Sequence, residues 1–161
     1  MGARVKVTRP TVQDDVRVRS TAQIAGHPIH PMLVPIPITC FVGALLTDIA
    51  YVASAEIMWA NCSAWLLLAG IVFGVLAAIA GLIDFLGNRL VRAQAPAWPH
   101  LIGNAVVLIL SIVNLMIHMR DGWTSVWPSG LALSALTVLI LPITGWLGWA
   151  LVCRHGVGVA R

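Results

Sequence analysis

Apolar residues run along this chain in four long blocks, at about residues 32–51, 65–86, 101–117 and 131–152, separated by short breaks rich in Pro, Gly, Trp and charge. Each block is close to the roughly 20 apolar residues needed to cross a bilayer. Short connections force consecutive spans to lie side by side and to run in opposite directions. The pattern therefore predicts an all-α, polytopic membrane protein folded as an antiparallel four-helix transmembrane bundle. Residues 1–23, with scattered valines and alternating charge, read as a polar cytoplasmic tail, and residues 24–159 as the four-span domain. The "ASAE" at 53–56 resembles a signal cleavage site, but the long polar leader with Asp14 and Asp15 and the length of the first apolar run argue against cleavage.

Polar residues inside the blocks are not scattered. In the third, His100, Asn104, Ser111, Asn114 and His118 fall at spacings of four, seven, three and four, which is one stripe of a helix. His100 and His118 are five whole turns apart, or about 27 Å. In the second, Gly70, Gly74, Ala77, Ala78 and Gly81 form small-residue rows that let helix backbones approach closely. Pro142 interrupts the fourth and predicts a kink. "HPIHP" and "WPH" open the first and third blocks alike, a faint two-plus-two symmetry.

Composition and charge then fix the setting. The chain is 59% hydrophobic and 10% charged, against roughly 25% charged residues in an ordinary soluble domain. With four spans, Arg4, Lys6, Arg9, Arg17, Arg19, Arg89, Arg92, Arg154 and Arg161 lie on one side and Arg120 on the other. The positive-inside rule places the nine, and both termini, in the cytoplasm. The net charge of +4 is explained by these loops beside anionic lipid and calls for no nucleic acid. Trp59, Trp65, Trp123 and Trp127 form an outer aromatic belt, and Trp98, Trp146 and Trp149 an inner one. Cys40, Cys62 and Cys153 sit at different depths without metal-site spacing.

Ionisable residues within spans are costly and mark either a site or a paired structural group. His27, His30, His100 and His155, with Asp84, gather at the cytoplasmic end, whereas Asp48 and His118 lie at the outer end. Imidazoles beside a carboxylate suit a divalent first-row metal or haem iron. The cofactor candidates are thus His27, His30, His100 and His155, and the metal candidates His27, His30, His100 and Asp84. Asp48, Asn104, Ser111, Asn114 and His118 are the candidate polar relay. Asp84 has Arg89 and Arg92 as alternative partners, and Asp48 has His118 and Thr47. Both His27 and His30 precede a proline, which pushes them toward polyproline II with imidazoles about 9 Å apart. That spacing favours one of the two as ligand rather than a chelate.

"GHPIHPMLVPIPI", "GLIDFLG", "HLIGN" and "TGWLGWALVCRHGVGV" resemble the bacterial four-helix membrane family called domain of unknown function 2231, over about residues 24–159. The resemblance implies a link with membrane redox chemistry, since relatives are fused to Rieske iron–sulfur or c-type cytochrome domains. It puts His27, His30, Asp48, Asp84, His100, Asn104 and His155 on the family's recurring polar positions. Trp149 and Ala150 replace the family's usual Gly-Glu pair, which puts a carboxylate-dependent role in doubt. The leading reading is an accessory or redox-associated subunit of the bacterial inner membrane, binding b-type haem or a divalent metal at the cytoplasmic histidines. It would work as a homo-oligomer or within a larger membrane redox complex. Proton or cation transport through an oligomeric bundle and a non-catalytic scaffold are the alternatives. No nucleophile–base pair or phosphate loop supports a hydrolase or kinase.

Overall fold

The structure, a computed structural model, describes residues 20–120 and 124–158. The predicted tail up to residue 19, Trp123 of the aromatic belt and Arg161 lie outside the described residues. A two-residue hairpin, β1 (Gln23–Ile24) and β2 (His27–Pro28), leads into a short helical turn α1 (Ile29–Leu33). Then follow α2 (Pro35–Ser54), α3 (Ile57–Gly87), α4 (Arg89–Arg92) and α5 (Ala97–His118). An irregular turn, Val126–Gly130, precedes α6 (Leu131–Cys153). Four apolar helices are long enough to span a membrane: Ile29–Ser54, Ile57–Gly87, Ala97–His118 and Val126–Cys153.

Pro28 is extended (φ −68°, ψ 129°), but the prolines after it do not hold polyproline II. Val34 is helical (φ −53°, ψ −38°), and its N–H bonds the His30 carbonyl at 3.2 Å, so α1 and α2 form one interrupted helix. The interruption follows from Pro35 and Pro37, which have no N–H to donate. Ahead of them, Ala25 (φ 49°) and Gly26 (φ 80°) are both left-handed, the backbone a tight two-residue hairpin requires. That turn presents His27 to solvent while His30 points inward. At the far end of α2, "ASAE" is the bend into α3, with Ala55 left-handed (φ 57°). α3 begins at Ile57, ahead of the apolar block, because Ser63 is buried with its hydroxyl 2.6 Å from that of Thr47. α6 runs through Pro142 as a single helix.

Each long helix packs on two others in a ring, α2 on α3, α3 on α5, α5 on α6 and α6 on α2. Contacts between neighbours pair rising with falling residue numbers. His30 meets Gly81 and Thr47 meets Ser63, just as His100 meets Gly148 and Asn114 meets Ser134. Adjacent helices therefore run antiparallel, and α2 lies diagonally across from α5. Small residues on α3 make the closest approach: a Cβ on Gly70 would come within 2.5 Å of the Phe41 ring. Phe41, Ala44, Leu67, Val107 and Leu141 form the main apolar core, one layer across all four helices. Polar groups are buried on either side of it.

Candidate functional site

At the end of the bundle that carries the chain termini, His30 and His100 meet across the diagonal. Their ring centroids are 5.9 Å apart and the rings are nearly perpendicular, at 85°. His30 Nδ1–H donates to the carbonyl of Ala77 at 2.7 Å, and His100 Nδ1–H to that of Thr144 at 2.9 Å. A carbonyl can only accept, so each imidazole carries a hydrogen on Nδ1, and in the neutral ring the lone pair is then on Nε2. The Asn104 amide nitrogen lies 3.3 and 3.4 Å from the two nitrogens of His100, along neither lone pair, and donates at 2.7 Å to the His100 carbonyl.

The two seats repeat one design. Four residues after each accepting carbonyl stands a glycine, Gly81 on α3 and Gly148 on α6. A Cβ on either would lie within 2.9 and 2.8 Å of the ring it faces. His30 and His100 are 70 residues apart, the same separation as Asp48 and His118. Two helix hairpins thus present matching positions about a central axis, with one diagonal pair at each end. Both imidazoles line a cavity of about 510 Å³ whose walls are largely apolar, with Val34, Phe41, Leu101 and Leu108 among them.

The remaining candidates at this end do not join the pair. His27 is exposed on the hairpin, 3.1 Å from the Ala25 carbonyl. His155 lies beyond α6, half-buried, with its N–H on the Ala150 carbonyl at 3.2 Å. Asp84 pairs with neither arginine. Its carboxylate accepts from Thr21 N–H (2.6 Å), Ala22 N–H (2.7 Å) and the Ser20 hydroxyl (2.7 and 2.8 Å). It clamps the segment that enters the first span. The metal set of His27, His30, His100 and Asp84 is therefore not gathered: the hairpin turns one member outward and backbone donors engage another. Among the described residues, no group of three or more His, Cys, Asp or Glu is placed to hold a metal ion.

The helix stripe on α5 divides into two. His100 and Asn104 belong to the cavity, and Ser111, Asn114 and His118 to a buried cluster at the opposite end. His118 Nε2 lies 2.9 Å from Asp48 Oδ1, and Ser134 donates to Asp48 Oδ2 at 2.6 Å. Asn114 Nδ2 donates to Ser134 at 2.8 Å, while Ser111 donates to the Val107 carbonyl. Val107, Phe41, Leu67 and Leu141 separate this cluster from the cavity. Sequence spacing missed Ser134, Ser20 and the glycine seats, although Gly81 stood out among the small residues of the second block.

A family described as a predicted membrane protein (DUF2231) matches residues 26–161, a stretch that includes both diagonal pairs. The chain belongs to this family. Among curated proteins and among solved structures, nothing matches it. What this DUF2231 protein places in its interior is a pair of imidazoles with oriented lone pairs beside an apolar cavity, and a sealed polar cluster beyond it.

Proposed function

We propose that this DUF2231 protein is a redox-associated accessory subunit of the bacterial inner membrane, and that its His30–His100 cavity holds a b-type haem. Both termini would face the cytoplasm, as the nine-to-one distribution of Lys and Arg favours. It would act as a homo-oligomer or within a larger membrane redox complex. One observation carries the haem assignment: both Nδ1–H groups are held by backbone carbonyls, leaving two Nε2 lone pairs beside a shared cavity. A hydrogen bond of this kind on the far nitrogen is what orients metal-ligating histidines.

A bare ion is the poorer match, because two protein ligands leave most of its coordination unfilled. His30 and His100 would hold the haem iron. A bound haem would supply one-electron transfer, beside rings that the backbone carbonyls orient and walls that are largely apolar.

The test is absorption spectroscopy of the purified full-length protein before and after haem addition. A Soret band lost in His30→Ala and in His100→Ala supports the assignment. No Soret band after reconstitution overturns it, and a co-purified partner would then favour the scaffold reading. Transport has less support, since Phe41, Leu67, Val107 and Leu141 interrupt the polar path through a single bundle.

A further inference from the structure

The cluster around Asp48 is not used by the proposed cofactor, and its hydrogen bonds fix its proton count. His118 has both ring nitrogens against acceptors: Nδ1 is 3.0 Å from the Asn114 carbonyl and Nε2 is 2.9 Å from Asp48 Oδ1. Nδ1 therefore carries a hydrogen. A carboxylate oxygen and a nitrogen lone pair cannot face each other bare at that distance, so one further proton lies between Nε2 and Oδ1. On the nitrogen it makes imidazolium and aspartate; on the oxygen it makes imidazole and aspartic acid. Either way the pair is neutral, the state that burial favours. Asp48 is 0% exposed and His118 7% exposed.

Among the described residues, the elements packed around the pair supply little that could replace this proton. α3 brings Ser63, α6 brings Ser134 and Thr137, and the irregular turn brings Val126 and Gly130. Tyr51 is one turn along α2 from Asp48, while Glu56 and Arg120 are exposed. Two oxygens here have no hydrogen-bond partner among the described residues: Asn114 Oδ1 and Thr137 Oγ1, on helices 0% and 2% exposed at those residues. Buried polar groups of this kind are where internal water is held. His118 is the last residue of α5, and the adjoining Met119 is 74% exposed. The apolar layer of Phe41, Leu67, Val107 and Leu141 closes the other direction.

We propose that Asp48 and His118 form a proton-binding site that exchanges one proton with the side of the membrane opposite the termini, and that its release loosens α2 from α5 at that end. The balance is simple: the shared proton leaves to water, and the Asp48 carboxylate is left facing the His118 Nε2 lone pair. The two must then separate or admit water, for which Asn114 Oδ1 and Thr137 Oγ1 are ready partners. No electron or second reactant is involved.

The experiment uses the full chain in lipid nanodiscs, with Cys40, Cys62 and Cys153 replaced and spin labels at Val52 and Met119, both exposed. Distances are measured from about pH 5 to about pH 10, a range that brackets the ordinary His value of about 6.5 and lies above the ordinary Asp value of about 3.9. The expected result is a single short distance at neutral pH that lengthens or broadens as pH rises. A double variant, Asp48→Asn with His118→Gln, keeps a donor and an acceptor but no titrating proton, and should hold one distance throughout. Should it fail to fold, Asp48→Asn alone serves: its amide donates to the neutral imidazole, so its distance should not lengthen as pH rises. A wild-type distance that ignores pH overturns the proposal, as does a variant that responds as the wild type does.

Discussion

His100 lies so close to Gly148 that a side chain on the glycine would have no room: a Cβ there would stand 2.8 Å from Cε1 of the ring. The same holds for His30 over Gly81, at 2.9 Å from Nδ1. In each case the glycine follows by four residues the carbonyl that fixes the ring. Hydrogen bond and close approach are parts of one seat, and displacing the ring loses both.

Gly148→Ala and Gly81→Ala should therefore each push an imidazole off its carbonyl. Overpacking of a filled site costs about 1–3 kcal/mol, and the absorption spectrum of reconstituted protein should weaken or shift. Ile143→Ala is the control, on the same helix with its side chain 63% exposed. It should leave both melting and spectrum unchanged. Equal effects from all three would mean that the seat does not position the rings.

Breaking the opposite pair should be costlier than removing it. His118→Leu leaves the Asp48 carboxylate buried with Ser134 as its remaining donor among the described residues, and loss of one member of a buried ion pair costs about 3–5 kcal/mol. Asp48→Leu together with His118→Leu removes both charges and should cost less than either single change. Unfolding titrations in mixed micelles measure the comparison. A double variant less stable than both singles would contradict the coupling read from the 2.9 Å contact.

Asp84 should act on the chain entry and not on the cavity rings. In Asp84→Ala, the N–H groups of Thr21 and Ala22 lose their acceptor. A buried donor left unsatisfied costs about 1–3 kcal/mol, so residues 20–24 should exchange amide hydrogen faster while the centre of α5 keeps its protection. Hydrogen exchange with mass spectrometry reads both regions at once. Unchanged exchange at residues 20–24 would show that the clamp is redundant.

The spans were legible because 59% apolar composition leaves the breaks obvious. Asp48 with His118 was legible too, since a carboxylate within a span needs a partner and few are available at that depth. Other relationships leave no trace in residue spacing. Asp84 is held by two backbone N–H groups as well as by Ser20, and main-chain donors look alike in any sequence. His27 and His30 part because the extended β2 ends at Pro28 and the helical α1 begins at Ile29, a change of backbone and not a side-chain pattern. Val107 was legible and easily passed over. It lies three residues after Asn104 and four before Ser111, on the same stripe, and as the apolar member it divides the polar path.

That division yields a direct test of whether the bundle conducts. Val107 is 3% exposed between the cavity and the Asp48 cluster, in one layer with Phe41, Leu67 and Leu141. Water and protons have no hydrogen-bonding route through such a layer. Wild-type protein in liposomes should therefore show no proton flux above that of protein-free vesicles. Val107→Asn puts an amide in the gap between Asn104 and Ser111, at a stability cost of about 1–3 kcal/mol for a buried polar group with incomplete partners. It should raise proton flux, while Ile109→Asn, on the outward face at 61% exposure, should not. A wild-type protein that already conducts would show that the layer opens, and would restore the transport reading over the accessory one.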